Sequence, residues 1–229
     1  MSAKKKRVLD YLLYGETFVH TKGGKQYEGY HKHPTCSSRN PWYALNGRSK
    51  YSIFSPSIFW GRHLLFFPNK QVLATDCLDE IEAIKPEMSK ALCAIMNTTL
   101  EAMFYEFSGR YVENRDKTIS NEIKIYELEN MLTINPELLP KDVIADFEEA
   151  LDALCGRDIG LVSQEILQAD KQRLDSLLFI KVLGLTGRDM KELQEATAEL
   201  YRRRIERLAG ESPVAEEEQE EEDEEDSES

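Results

Sequence analysis

The strongest hydrophobic pattern in the chain lies between Pro86 and Gly109, where apolar residues recur at three- and four-residue steps. This spacing places them on one face of a helix of roughly six turns, at about 3.6 residues per turn. Proline suits the first helical turn, and glycine just past a helix end favours a left-handed conformation. The pattern predicts one long central helix that buries these side chains: Met88, Leu92, Ile95, Met96, Leu100, Met103, Phe104 and Phe107.

Strand patterns flank this helix on both sides. The paired glycines of Lys22-Gly23-Gly24-Lys25 predict a turn, whereas residues 4–14 fit either a short helix or a strand. Strands around a long helix predict an α+β fold. Short runs rich in β-branched and aromatic residues predict these strands at residues 51–55, 62–67, 71–75 and 119–132.

The pattern changes after Asn135-Pro136, where helical periodicity and charge replace the strands. Beyond Gly210 the sequence is almost entirely Glu and Asp, a composition that has nothing to bury and predicts disorder. We therefore expect a strand-rich domain at 1–135 with the central helix, a small all-α region at 136–210 and a disordered acidic tail at 211–229. Helices of the all-α region are predicted at residues 140–154, 159–167, 171–183 and 189–208.

The composition is that of a soluble protein, with 41% hydrophobic and 31% charged residues. No apolar run approaches the roughly 20 residues needed to cross a bilayer. The N-terminal Lys4-Lys5-Lys6-Arg7 is not followed by the clean apolar segment of an export signal, so we expect a cytoplasmic location. The four cysteines are widely separated, which favours free thiols over a disulfide framework or a zinc ribbon.

The net charge of −13 is distributed unevenly along the chain. Residues 1–75 contain 12 Lys and Arg against 3 Asp and Glu, whereas residues 215–229 contain 11 Asp and Glu and no Lys or Arg. The residues between them, 76–214, contain 17 against 28. The acidic total thus hides a basic N-terminal third. A basic segment of this kind is expected where a protein binds nucleic acid, although a basic surface also serves solubility or binds an acidic partner.

Two segments combine bases with features that suit nucleic acid. Residues 27–51 interleave aromatic rings with bases, which suits base stacking and phosphate contacts, and equally suits a partly buried sheet edge. Residues 108–117 place three bases around the loop that follows the central helix. These bases either contact phosphates or form an ordinary solvent-exposed loop.

Two further clusters contain residue types that carry chemistry. Asn40-Pro41-Trp42-Tyr43 is close to the Asn/Asp-Pro-Pro-aromatic tetrad of adenine-N6 methyltransferases, but its third residue is Trp and no Gly-rich cofactor loop precedes it. His31-x-His33-x-x-Cys36 contains metal-ligating residue types, but a zinc site needs about four ligands and no second cluster supplies the rest. The sequence therefore predicts neither a catalytic centre nor a metal site.

Several short motifs follow one another in a distinctive order. They are Tyr14-Gly15-Glu16, Cys36, Arg39-x-Pro41-Trp42-Tyr43, Arg62, Asn69, Asp76, Ala94-Ile95-Met96-Asn97-Thr98-Thr99-Leu100, Gly109-Arg110, Asp170-Lys171-x-Arg173-Leu174-Asp175, Leu183-Gly184-Leu185 and the run from Tyr201 to Arg207. This order resembles the C-terminal target-recognition region of adenine-specific DNA methyltransferases of restriction-modification systems. In these large γ-type enzymes the recognition domain follows the catalytic domain. The similarity covers about residues 8–208.

The resemblance implies a DNA sequence-recognition module or split subunit of such an enzyme. The cofactor-binding sheet and the catalytic tetrad that the family carries upstream are absent from this sequence, so the chain is not expected to be an enzyme on its own. S-adenosylmethionine is expected on a catalytic partner, a methyltransferase or restriction subunit. Double-stranded DNA is the expected ligand, contacted by Arg39, Trp42, Arg48, Lys50, Arg62, Asn69, Lys70, Arg110, Arg115 and Lys117.

A second hypothesis is a non-catalytic interaction protein whose acidic tail mimics or competes with nucleic acid. Deletion of residues 211–229 separates the two hypotheses. A recognition module should bind DNA as well or better without the tail because repulsion is lost, whereas a mimic should lose its partner. A third hypothesis, an intact small enzyme, predicts that the isolated chain binds S-adenosylmethionine.

Overall fold

The chain forms two compact units, residues 1–47 and residues 48–229. Helices and small antiparallel sheets are both present, which is compatible with the predicted α+β class. The boundaries predicted at residues 135 and 210 remain predictions, and the predicted acidic tail at 211–229 lies outside the described residues. The structure, a computed structural model, describes residues 3–44, 50–68, 70–72, 74–113 and 119–206.

The first unit contains a helix followed by a β-hairpin. Its elements are α1 (Ala3–Thr17), β1 (Val19–Lys22), β2 (Lys25–Glu28), a 3₁₀ turn (Tyr30–Lys32) and α2 (Pro34–Ser37). Residues 4–14 are therefore helical. Strands β1 and β2 pair antiparallel, and between them Gly23 and Gly24 have φ values of 58° and 75°, a region that favours glycine. The predicted glycine turn is confirmed.

The second unit is mainly helical. Its helices are α3 (Ser89–Met96), α4 (Thr99–Ser108), α5 (Ile125–Leu128), α6 (Lys141–Leu154), α7 (Val162–Glu165), α8 (Ala169–Ser176) and α9 (Gly187–Glu206). Further turns are a 3₁₀ turn at Pro86–Met88, another at Pro136–Leu138 and a π-helical segment at Leu177–Val182 that follows α8. The strands are β3 (Ile53–Pro56), β4 (Ile58–Phe59), β5 (Leu78–Ile81), β6 (Arg110–Glu113) and β7 (Ile119–Glu122).

The strands of the second unit form two small antiparallel sheets, β3–β5 and β4–β7–β6. The prediction of a strand at 62–67 is wrong, because this segment makes one isolated bridge, from Phe66 to Phe54. The described residues of 71–75 form no strand either. The run 119–132 divides into β7 and α5, since the Glu127 carboxylate accepts the Lys124 N–H at 2.8 Å and begins a helical turn. Short apolar runs do not distinguish strand from buried coil or helix.

The predicted central helix is broken in its middle. Helix α3 ends at Met96 and α4 begins at Thr99. The Asn97 side chain donates to the Cys93 carbonyl at 2.8 Å and accepts the Leu65 N–H at 2.9 Å. These bonds hold the chain in a non-helical turn while the apolar periodicity continues on both sides. The pattern alone therefore predicted one helix where there are two.

The two predicted helix ends differ in outcome. Pro86 begins the 3₁₀ turn that leads into α3, as its position predicted. Gly109 has φ −81° and ψ 174°, so the predicted left-handed conformation is wrong. The Asn121 amide instead caps α4 by donating to the Tyr105 and Glu106 carbonyls at 3.0 and 3.2 Å. A Cβ on Gly109 would lie 1.7 Å from Asn121 Oδ1, so glycine is required by this close approach.

The helices of the second unit pack around two clusters of buried residues, a main core and a smaller cluster of Ala102, Val162 and Tyr201 that joins α4, α7 and α9. Helix α3 packs on α6, and α4 packs on α9. The helices predicted at 140–154 and 189–208 are confirmed as α6 and α9, and the one predicted at 171–183 is confirmed as α8 together with the π-helical segment that continues it to Val182. The run 159–167 contains only the shorter α7. Among the described residues, no helix is both long enough and apolar enough to cross a membrane. The centre of the core includes Ile53, Phe59, Ile95, Phe147, Leu174 and Leu178.

Candidate nucleic-acid interface

The structure describes six of the ten residues expected to contact DNA, two in the first unit and four in the second. In the first unit these are Arg39 and Trp42; in the second they are Lys50, Arg62, Lys70 and Arg110. The other four, Arg48, Asn69, Arg115 and Lys117, lie outside the described residues.

An aromatic stack around His20 holds the first unit together. The His20 ring centre lies 4.7 Å from that of Tyr30 and 5.4 Å from that of Tyr27. Phe18 and His33 complete the stack at 6.2 and 5.5 Å. Two tyrosines that the sequence pattern offered for base stacking thus pack against this unit's own histidine.

Trp42 is anchored, while its neighbours are exposed. Its Nε1 donates to the Glu16 carboxylate at 3.0 Å, and its ring lies so close to α1 that a Cβ on Gly15 would be 2.7 Å away. Tyr43 packs edge-on against it and remains 46% exposed. Arg39 is exposed and forms no ion pair within the described residues. Arg39 and Tyr43 are therefore more available to a ligand than Trp42.

Ion pairing divides the cations of the second unit into two classes. Arg62 and Lys70 are exposed, and their side chains make no hydrogen bond or ion pair in the part of the chain that the structure describes. Lys50 Nζ lies 4.9 Å from the centre of the Tyr51 ring. Neither Lys50 nor Lys141 forms an ion pair with a carboxylate among the same residues. The paired cations are Lys85, Lys90, Arg110, Lys124, Arg157, Lys171, Arg173, Lys181, Arg188, Lys191, Arg202, Arg203 and Arg204.

Arg110 belongs to the paired class. Its Nε lies 3.1 Å from Glu127 Oε1, its Nη2 donates to the Tyr126 hydroxyl, and its guanidinium lies 5.6 Å from the centre of that ring. The Lys124 N–H, and after it the charge of Arg110, lower the pKa of Glu127. A DNA phosphate would therefore compete with Glu127 for this arginine.

An extended segment presents an aromatic face around Arg62. We give the name aromatic face to Ile58, Trp60, Arg62 and Phe66, which line a shallow cleft of about 470 Å³. Trp60 and Phe66 are each 45% exposed, whereas Phe59, Gly61, His63 and Leu65 between them are buried. The sequence prediction included Arg62 but missed Trp60 and Phe66. The signal that could have found them is this two-residue alternation, which places alternate side chains on one side of an extended chain.

The buried residues of this segment fix its position. His63 Nε2 donates to the Met96 carbonyl at 2.8 Å, and the His63 ring stacks on Phe59 with centres 5.7 Å apart. Burial lowers the pKa of His63 to about 3, so the ring is neutral at physiological pH. The Gly61 carbonyl accepts the Val162 N–H at 2.9 Å. These buried contacts therefore fix the backbone that carries the exposed side chains of the aromatic face.

A buried ion pair anchors the backbone of Trp60. Arg204 binds Glu106 in a two-pronged arrangement, with Nε–Oε1 at 2.7 Å and Nη2–Oε2 at 3.1 Å. The same guanidinium donates to the carbonyls of Ile119, at 3.1 Å, and Trp60. The two charged side chains are 0% and 1% exposed. No sequence pattern indicates this pair, because its members are 98 positions apart.

Two motifs that carry the family resemblance meet in the interior. The Thr99 N–H and hydroxyl donate to the Asp175 carboxylate at 2.8 and 2.6 Å, which caps the start of α4. Lys171 donates to the Asn97 carbonyl, and burial lowers the pKa of this lysine. Gln194 donates to Asp175 at 2.7 Å. These residues hold α8 and α9 against the break between α3 and α4.

No three His, Cys, Asp or Glu side chains converge on a possible metal position within the described residues. In the His31-x-His33-x-x-Cys36 cluster, His33 Nδ1 lies 2.7 Å from the Thr35 hydroxyl. All four cysteines are described and each has a free thiol, as their spacing predicted.

Comparison with known proteins gives a likeness in fold. No protein-family model and no curated protein matches the chain. A solved structure that matches is the type IIG restriction endonuclease BpuSI, with a TM-score of 0.58 and 14% sequence identity. The match covers 90% of this chain and 22% of that one, so this chain spans about a fifth of the enzyme's length.

Proposed function

We propose that this chain is a DNA target-recognition module of a restriction-modification enzyme and has no catalytic centre of its own. The likeness in fold to the restriction endonuclease BpuSI supports the proposal. So does the order of motifs that resembles the recognition region of adenine-specific DNA methyltransferases. Catalysis and S-adenosylmethionine binding would reside in a methyltransferase or restriction partner chain, or in another part of a longer protein.

The observation that carries the proposal is the uneven ion pairing of the second unit. Most of its described bases are paired with carboxylates, whereas Lys50, Arg62 and Lys70 are exposed without one, as is Lys141 on α6. An unpaired cation keeps its full charge for a DNA phosphate, and neutralising that phosphate releases a counterion. Lys50, Arg62 and Lys70 lie in the basic third of the sequence, which also includes the exposed Arg39 of the first unit.

The aromatic face suits contacts to DNA around Arg62. A guanidinium forms paired hydrogen bonds with a phosphate or with a guanine edge. Exposed rings such as Trp60 and Phe66 contact sugars or unpaired bases. The Arg204–Glu106 pair holds the backbone that carries Trp60, so this segment loses little conformational entropy when DNA binds.

The proposal is tested by the salt dependence of DNA binding. Binding of the full chain to a labelled duplex is measured by fluorescence anisotropy over a series of salt concentrations. Arg62→Ala and Lys70→Ala should each weaken binding and reduce the log–log salt slope by about 0.9, the contribution of one phosphate. A phosphate contact should lower affinity for different duplex sequences alike, whereas a base contact by Arg62 should also relax specificity.

Arg188→Ala is the matched control. Arg188 is an exposed cation on α9, but its Nε lies 2.7 Å from the Glu192 carboxylate. Its removal should leave the slope unchanged. Equal losses in the control and in the Arg62 and Lys70 variants would contradict the proposal. So would binding that does not depend on salt, or no binding even with the catalytic partner present.

A further inference from the structure

The second unit has an acidic cleft that shares no lining residue with the cleft at the aromatic face. It has a volume of about 440 Å³, which is within the range of about 300 to 1,000 Å³ typical of small-molecule sites. Its walls are apolar and include Leu92, Met96, Leu128 and Met131. Five carboxylates also line it, and none of its described lining residues is Lys, Arg or His. The cleft therefore combines an apolar wall with an uncompensated negative charge.

Glu101 lies at the floor of this cleft. The residue is 1% exposed, and its Oε2 is buried without any hydrogen-bond partner among the described residues. A buried polar atom without a partner is costly, and native proteins contain few of them. Two other lining carboxylates already have hydrogen-bond donors: Asp79 accepts the Ser57 hydroxyl at 2.9 Å, and the exposed Glu80 accepts that of Ser52. Glu101 is thus the buried lining carboxylate whose Oε2 still lacks a donor.

Two further carboxylates at the rim add negative charge to the cleft. Glu82 and Glu129 are exposed at the cleft and form no ion pair within the described part of the chain. Burial raises the pKa of Glu101 to about 7, and the nearby Thr133 hydroxyl lowers it in part. The carboxyl is therefore partly ionised near neutral pH. A cation beside it would favour the ionised form, because opposite charges stabilise each other more strongly in a buried site.

We infer that this cleft binds a primary alkylammonium group, with the ammonium on Glu101 and an aliphatic stem of about four to five carbons along the apolar wall. An ammonium supplies the hydrogen-bond donor that Oε2 lacks. No described residues in the cleft form a metal-ligand cluster, which favours an organic cation over a metal ion. The ligand has two sources, a free aliphatic diamine or a lysine side chain. This inference does not depend on the proposed role in DNA recognition.

Calorimetric titration of the full chain at pH 7.5 tests the inference without DNA. The probes are 1,5-diaminopentane, N-acetyl-lysine methylamide and, as an uncharged control of similar length, 1-pentanol. At least one of the amines should bind, and the alcohol should not. Preference for the diamine identifies a free polyamine-type ligand, and preference for the lysine amide identifies a partner side chain; either result supports the site.

Substitutions test whether the amine binds at Glu101 in this cleft. Glu101→Gln should weaken amine binding by at least about tenfold, because a charge-assisted hydrogen bond is lost. The same substitution at Glu148, on α6 and outside the cleft, should have no effect. Met131→Trp, which narrows the cleft and keeps Glu101, should also reduce binding. It serves as the second test if the Glu101 variant fails to fold by circular dichroism.

The pH dependence of the affinity for the amine provides an independent test. Because protonation of Glu101 competes with the amine, affinity should rise about tenfold between pH 6 and pH 8, and Glu101→Gln should remove this rise. Equal binding of 1-pentanol, unchanged binding in both Glu101→Gln and Met131→Trp, or binding of Mg²⁺ but of neither amine would each overturn the inference.

Discussion

Arg204→Ala removes the cation of the buried pair that joins α9 to α4 and to the backbone of Trp60. The substitution leaves the Glu106 carboxylate 1% exposed with weaker donors, the Tyr111 hydroxyl at 3.2 Å and the Asn121 amide at 3.4 Å. The carbonyls of Ile119 and Trp60 also lose their donor. The perturbation is therefore an uncompensated charge in the interior together with two unsatisfied acceptors.

The expected loss in the free energy of unfolding is about 3 to 5 kcal/mol, the usual cost of removing one partner from a buried pair. Small proteins are stable by only about 5 to 15 kcal/mol, so this is a large fraction of the total. Removing both charges, with Glu106→Leu and Arg204→Met together, should restore most of the loss. Buried ion pairs are often replaced by apolar residues at little cost, because no charge is then left without a partner.

Urea unfolding followed by far-ultraviolet circular dichroism measures these differences. Arg203→Ala is the matched control on the same helix. The side chain of Arg203 is 71% exposed and its Nε lies 2.7 Å from the Glu199 carboxylate, so its loss should cost less than about 1 kcal/mol. If Arg204→Ala costs no more than Arg203→Ala, or if the double variant is less stable than Arg204→Ala, the buried pair does not have the role assigned to it.

Two further predictions concern stability. Gly109→Ala should lower the free energy of unfolding by about 1 to 3 kcal/mol, because the new Cβ would overlap the Asn121 side chain. Gly187→Ala, where a Cβ meets nothing within 4 Å, should cause no such loss in the same urea assay. Burial lowers the pKa of His63 to about 3, against about 6.5 in the unfolded chain, so the unfolded state binds this proton first and stability should fall as pH decreases from about 6.5. The loss should approach about 1.4 kcal/mol per pH unit, and His63→Gln should show a shallower slope between pH 6.5 and 4.5 when both proteins are unfolded in urea; equal slopes would contradict the assignment.

The sequence predicted structure correctly where it depends on residues that are close together along the chain. The turn at Gly23 and Gly24 follows from glycine's freedom at positive φ. Helices α6 and α9 follow from apolar residues at helical spacing, whose partners only need to be apolar. The concentration of bases in residues 1–75 is likewise a property of the sequence.

Side-chain hydrogen bonds between distant residues account for the predictions that were wrong. Asn97 interrupts the predicted central helix because it binds Leu65, 32 positions earlier, and Asp175 then caps the new helix from 76 positions later. Gly109 is extended rather than left-handed because Asn121 replaces the usual glycine cap. Periodicity reports which face is apolar, but it does not report where a remote polar side chain competes for the backbone.

The sequence by itself determined the apolar faces, the turn and the segregation of charge. Only the tertiary structure decided which bases remain available to a ligand. Arg110 and Arg62 look alike in sequence, but the fold brings Glu127 to Arg110 and leaves Arg62 exposed between Trp60 and Phe66. The acidic cleft arises in the same way, because Glu101 is an ordinary helical glutamate until packing buries its Oε2 without a donor. Charge is a property of each residue, whereas its neutralisation depends on which residues the fold places within a few ångströms.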